Sequence, residues 1–229
     1  MLSARLRFFL AVPALWAVVF ALGLALDDRL EGPWLLSATT LTRLGALSLP
    51  VRDADGGLRA LSSLFLHSDA LHLTGNILAL ALIVATWPLA RMRGLAVVLL
   101  AGGCLAAVGS MVAYSHGLSV GPSGALCAAL TTALCLPVRI HRKLIWLGLA
   151  AAFLIGGALS GGDQGAHVAG LLVGLGFGLL RHLGIRRGST FATATQDPLA
   201  VTSSSVDAAL PRHQPAQPPI PFPVFSNKN

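Results

Sequence analysis

Six apolar stretches, each cut off by a short polar or basic segment, limit what this chain can fold into more than any other feature. They run over 8–26, about 64–87, 94–114, 121–138, 144–160 and about 165–180. A helix that crosses the hydrocarbon core of a bilayer needs ~20 predominantly apolar residues, because its backbone N–H and C=O groups must pair where no water reaches them. The first five stretches fall in the workable range of ~17–25 residues and the sixth is shorter. Only 11% of the residues are charged and 55% are hydrophobic, against roughly 25% charged in soluble domains. The expectation is an all-α membrane protein, with a bundle of six transmembrane helices over residues 1–187. The first stretch follows "MLSARLR". It exceeds the ~7–15 apolar residues of a signal-peptide core, so it reads as a retained helix.

The basic residues set the expected orientation. Arg5 and Arg7 precede the first stretch, Arg91 and Arg93 join the second and third, and Arg139, Arg142 and Lys143 join the fourth and fifth. Arg181, Arg186 and Arg187 follow the sixth. In a six-span arrangement all of these fall on one side, which the positive-inside rule makes the cytoplasm. Both termini are then cytoplasmic. Trp87 and Trp146 fall near the inner ends of their spans, where interfacial anchors belong. The excess of Arg over Lys points to a bacterial inner membrane. The formal charge of +7 is dispersed in pairs between apolar runs and forms no patch, so a nucleic-acid partner is not expected. Cys104, Cys127 and Cys135 lie inside apolar runs without metal-ligand spacing. They read as small buried hydrophobes, and no metal or cofactor is expected.

Two segments depart from the pattern. Residues 188–229 are rich in Ser, Thr and Pro, lack an apolar period and read as a disordered cytoplasmic tail. Loop 27–60 carries Trp34, Leu35, Leu36, Leu41, Leu44 and Leu47, too apolar for an ordinary loop and too interrupted to span. It reads as an interfacial segment between the first two helices, with a short cap folded over the helices as the alternative.

Polar residues inside spans are costly in lipid and mark function by default. His72 and Asn76, four apart, share one helix face. His67, five before His72, is rotated by about 140° on a continuous helix and points elsewhere, to brace the outer loop. Asp69, three before His72, approaches the same face near the mouth. His167 opens the sixth stretch, and Gly170 and Gly174 follow at a spacing that gives a smooth strip for close helix packing. Ser123 opens the fourth stretch within "GPSGAL". There it is either a plain N-cap or a nucleophile beside helix N–H groups able to stabilise an oxyanion. Gly121 and Gly124 would let a substrate backbone and a neighbouring helix approach it. The orientation, drawn from Arg and Lys alone, puts His72, Asn76, Ser123 and His167 in the outer halves of their spans. Interhelical glue has no reason to share one level, whereas a serine needs a nearby base to attack at neutral pH. No carboxylate is clearly placed to complete a triad, Asp163 being in a loop, so the expectation is a Ser–His dyad.

These residues resemble the rhomboid intramembrane serine proteases. "GPSGA" is similar to the family's G-x-S-G, which implies Ser123 as nucleophile. "AHVAGLLVG" resembles A-H-x-x-G-x-x-x-G and implies His167 as base. "HSDALHLTGN" resembles the second-helix H-x-x-x-x-H-x-x-x-N and implies His72 and Asn76 at the oxyanion hole with Ser123. Arg59 resembles the arginine of the family's W-R pair, although Leu58 stands in place of the tryptophan. Cys127 stands where many bacterial members have a tyrosine against the histidine, and "PLARMRG" lacks the glutamate many carry after the second helix. The resemblance covers roughly 59–176. It implies an endopeptidase that cuts transmembrane protein substrates near the outer face of the lipid bilayer, in either the general family or the branch that trims C-terminal sorting tails. The alternative is an inactive rhomboid-like protein that binds transmembrane clients. A small transporter would need polar residues continuing into the inner half, and the third to sixth stretches supply almost none.

Overall fold

The computed structural model describes residues 4–32, 34–51, 54–88 and 91–194. The chain is mostly helical: α1 (Ala4–Leu26), α2 (Ala38–Arg43), α3 (Gly56–Ser62), α4 (Ala70–Thr86), α5 (Met92–Ala113), α6 (Ser123–Leu134), α7 (Ile140–Ser160) and α8 (Gln164–Ala194). Segments Leu47–Leu49 (β1) and Gly117–Ser119 (β2) pair antiparallel, with Leu47 opposite Ser119. Arg5–Leu26, Met92–Ala113 and Ile140–Leu159 are each long and apolar enough to cross a membrane, while Ala70–Thr86 and Ser123–Leu134 are apolar but shorter. The chain is a membrane protein. Residues 1–187 form one unit. Helix α8 runs past the boundary expected at 187 to Ala194, and the remainder of the expected tail lies outside the described residues.

Helix α6 is the centre of this unit. Of its residues only Thr131 and Leu134 are less than fully buried. At ~1.5 Å per residue its single stretch is about 18 Å long, well short of the ~30 Å hydrocarbon core. Its start is fixed by Gly121 and Pro122, and Pro137 follows its end at Cys135. Helices α5 and α7 pack on it, and α4, which α1 covers through Trp16 and Phe20, packs on it too. Lipid tails are as apolar as leucine, so close van der Waals packing holds such helices together. The α8 glycines provide it. A methyl on Gly170 would run into the Gly124 carbonyl, and one on Gly174 into the Ala128 carbonyl. The Thr132 hydroxyl donates to the Gly174 carbonyl at 2.9 Å across the same seam.

The two tryptophans expected as interfacial anchors are not at a lipid surface. Trp87 and Trp146 are almost wholly buried. Trp146 Nε1 donates to Thr86 Oγ1 at 2.8 Å, Trp87 Nε1 to the Arg91 carbonyl at 3.1 Å, and Arg142 to the Thr86 carbonyl at 3.2 Å. Arg5 donates to the Trp87 carbonyl. Buried indole N–H groups need partners, and here they clasp α1, α4, α5 and α7 at one end. Position along the sequence located these rings at a helix end but not which way they faced.

Loop 27–60 packs as a cap. Leu36, Leu41 and Leu47 are buried within the protein, and of the six residues that suggested an interfacial segment Trp34 is the exposed one. The Asp27 carboxylate accepts from the Ser37 N–H at 2.6 Å, the Ser37 hydroxyl at 2.9 Å and the Arg29 N–H at 2.9 Å. Partial desolvation pushes the Asp27 pKa up, but these donors outweigh it and hold it below the ordinary carboxylate value. Arg59 donates to the Thr42 and Ala46 carbonyls at 3.1 and 3.2 Å, tying α3 to the cap. Leu58 beside it is exposed.

Candidate active site

Ser123 is the first residue of α6. Pro122 holds the cap position, and no side chain caps the helix. A capping serine would accept from an N–H two or three residues on. Instead Ser123 Oγ lies 2.9 Å from His167 Nε2. Serine and histidine are 6% and 5% exposed, so the pair is shielded from bulk water. If the hydroxyl donates to Nε2, the imidazole carries its own proton on Nδ1, an atom that is buried and has no hydrogen-bond partner among the described residues.

Local chemistry explains how two distant residues meet. His167 lies in the first turn of α8, where its N–H bonds the Asp163 carbonyl at 3.1 Å and the Ala166 N–H bonds the Asp163 carboxylate at 2.9 Å. Gly124 and Gly170 then remove the side chains that would hold α6 and α8 apart. The imidazole is flanked from α7: the Phe153 ring lies 5.7 Å away, centroid to centroid, tilted by 56°. A methyl at Gly157 would stand 2.9 Å from both His167 Cε1 and Nδ1. Cys127 lies wholly buried beneath Gly170. The contacts to the flank of the ring therefore come from α7. The sequence carried no sign of Phe153 or Gly157, because only the rotation of α7 about its axis brings them to the histidine.

His72 and Asn76 arrive from α4. Asp69 caps that helix, its carboxylate accepting from the His72 N–H and from Ser68 Oγ, each at 2.8 Å. Ser68 Oγ also lies 3.3 Å from His72 Nδ1. Both side chains face Gly121, two residues before Ser123. A methyl at Gly121 would stand 2.6 and 2.7 Å from His72 Cε1 and Nε2 and 3.5 Å from Asn76 Nδ2. Gly121 has φ +99°, a region that only glycine enters without strain. Asn76 is 1% exposed and its Nδ2 has no hydrogen-bond partner among the described residues. An unpaired buried amide N–H is costly, and this one faces Gly121, two residues before the serine.

His67 departs from expectation. It was expected to point away from His72, but its ring packs edge-on against the His72 ring at 5.3 Å, and against Trp16 at 5.5 Å. Helix α4 begins only after Asp69, so the helical rotation that separated the two histidines does not extend back to residue 67. The structure therefore gathers Ser123, His167, His72, Asn76, Gly121, Gly124 and Gly170 around one point. Gly174 lies one turn further down the α8 seam, His67 behind His72, and Arg59 in the cap.

The family model for the Rhomboid domain matches residues 55–183, more than half of the chain. The chain belongs to the rhomboid family. The matched span opens at the start of α3 and ends within α8, so it includes every residue of the cluster and leaves α1 outside. No curated protein matches this rhomboid.

Proposed function

We propose that this rhomboid is an intramembrane serine endopeptidase that cuts transmembrane segments of membrane proteins near the outer face. The observation that carries the proposal is the buried 2.9 Å contact between His167 Nε2 and Ser123 Oγ. In this reading Ser123 Oγ attacks the scissile carbonyl while His167 Nε2 takes its proton. The carbonyl oxygen becomes an oxyanion, which accepts from Asn76 Nδ2, from His72 and from the N–H of Ser123 at the unpaired end of α6. Collapse breaks the C–N bond, and His167 returns the proton to the leaving amine. Water, deprotonated by His167, then attacks the acyl carbonyl; the bond to Ser123 Oγ breaks, the acid product leaves, and His167 returns the proton to Oγ. The buried, unpaired Asn76 Nδ2 supports the oxyanion role, because leaving that donor unsatisfied in the resting protein is costly and a developing negative charge would repay it.

The wider arrangement proposed is six membrane-crossing helices, α1 and α4 to α8, with both termini cytoplasmic in a bacterial inner membrane. The nucleophilic serine then lies below the outer surface, because α6 is only about 18 Å long and begins inside the hydrocarbon core. Substrate helices must unwind to present an extended bond there. Labelling of Ser123 by a fluorophosphonate, together with cleavage of a transmembrane reporter, tests the reading. A folded protein that does neither would favour the client-binding alternative.

A further inference from the structure

Four residues before Ser123 stands Ser119, the last residue of β2, and four residues before His167 stands Asp163, in the turn between α7 and α8. The two meet: Ser119 Oγ donates to Asp163 Oδ2 at 2.5 Å. Ser110 Oγ, on α5, donates to the same oxygen at 2.5 Å and lies 3.3 Å from Ser119 Oγ. Both serines are buried. The other carboxylate oxygen, Oδ1, accepts from the Ala166 N–H at 2.9 Å and so caps the turn that carries His167. Gln164 reinforces this turn from two sides. Its N–H donates to the Tyr114 hydroxyl, and its Nε2 to the Leu154 carbonyl, both at 3.0 Å. Asp163 makes no hydrogen bond to the imidazole, whose Nδ1 has no partner among the described residues.

We infer that Asp163 is a positioning residue for the dyad: one carboxylate fixes the segment leading into Ser123 and the turn carrying His167 to each other. The inference rests on the protease reading above. It differs from a triad, in which the carboxylate would bond the histidine ring and its charge would be needed. Here the carboxylate acts through backbone and hydroxyl groups, and geometry is what it supplies. A displacement of about 1 Å between reacting groups can cost on the order of 10²-fold in rate. Asparagine can keep that geometry, since it caps helices as well as aspartate and its amide N–H groups can donate to the two hydroxyls, which also accept.

The test is the rate of fluorophosphonate labelling of Ser123 per folded molecule, with the melting temperature measured alongside. Asp163→Ala is expected to slow labelling on the order of 10–100-fold, and Asp163→Asn to stay within a few-fold of wild type. Because losing a helix cap can unfold the alanine variant, Ser119→Ala and Ser119→Thr provide a milder pair. The alanine is expected to slow labelling several-fold and the threonine, which keeps the hydroxyl, to restore it. Wild-type labelling rates in both Asp163→Ala and Ser119→Ala overturn the inference and leave the protease reading standing. Asp163→Asn as slow as Asp163→Ala also overturns it, in favour of a charge acting on the histidine. A folded wild-type protein that never labels overturns both.

Discussion

Gly157 of α7 leaves the space that the imidazole of His167 occupies. A methyl there would stand 2.9 Å from Cε1 and Nδ1 of the ring, and 2.5 Å from Gln164 Nε2. Such contacts force the ring or the helix to move. Helix α7 is therefore the wall against which the proposed base packs.

Gly157→Ala is expected to lower kcat for reporter cleavage by at least tenfold while changing the melting temperature little, because the strain falls on two side-chain tips, the His167 ring and the Gln164 amide. Phe153→Ala removes the ring contact from the same face of α7 and is expected to act in the same direction. Steady-state cleavage in detergent, with thermal unfolding of the same samples, checks both.

Asn76→Ala removes one donor from the proposed oxyanion site. Loss of one such donor costs about 10²–10³ in turnover in a well-studied hydrolase. The expected result is that loss in kcat with Ser123 still labelled by a fluorophosphonate. Cleavage at the wild-type rate would make Asn76 a packing residue.

Gly121→Ala combines a left-handed backbone, costing roughly 1–2 kcal/mol for a residue with Cβ, with a clash against His72. It is expected to be inactive, and its labelling by a fluorophosphonate should fail as well. Replacing Trp146 of α7, which bonds Thr86 at the other end of α4, by Phe is the contrasting case. It deletes the 2.8 Å bond to Thr86, should destabilise by about 0.5–1.5 kcal/mol, and should leave kcat unchanged. Measuring melting temperature and kcat for the two variants separates the site from the clasp.

The proposed topology has its own check. Single cysteines replacing Asp55 and Ser205 should react with an impermeant maleimide from opposite sides of intact membranes, above the wild-type background. Reaction from the same side would contradict the six-span arrangement.

What could be seen in the sequence was polarity out of place. Ser123, His167, His72 and Asn76 are polar residues in apolar runs, which singled them out, and the structure brings these four together; their common level in the membrane stays part of the proposed topology. Gly124 and Gly170 were legible for a similar reason, since a strip of small residues on a helix has packing as its ordinary use. Rotation and register were not legible. Whether Trp87 and Trp146 face lipid or the bundle depends on the rotation of α4 and α7. The reach of Phe153 and Gly157 to the histidine depends on α7 in the same way. His67 was misjudged because the helix begins at the Asp69 cap, two residues later than the rotation argument assumed. Asp163 was set aside as a loop residue, because nothing in the sequence placed Ser110, Ser119 and residue 163 side by side.

The central claim is that Ser123 and His167 act as one chemical unit. Its most direct test is cleavage of a transmembrane reporter by wild type, Ser123→Ala, His167→Ala and the double variant, all reconstituted at equal folded concentration. Groups that act in one step lose their effect together rather than additively. The expected result is robust cleavage by wild type and the same low residual rate in all three variants. Normal cleavage by His167→Ala, or by Ser123→Ala, would contradict the account.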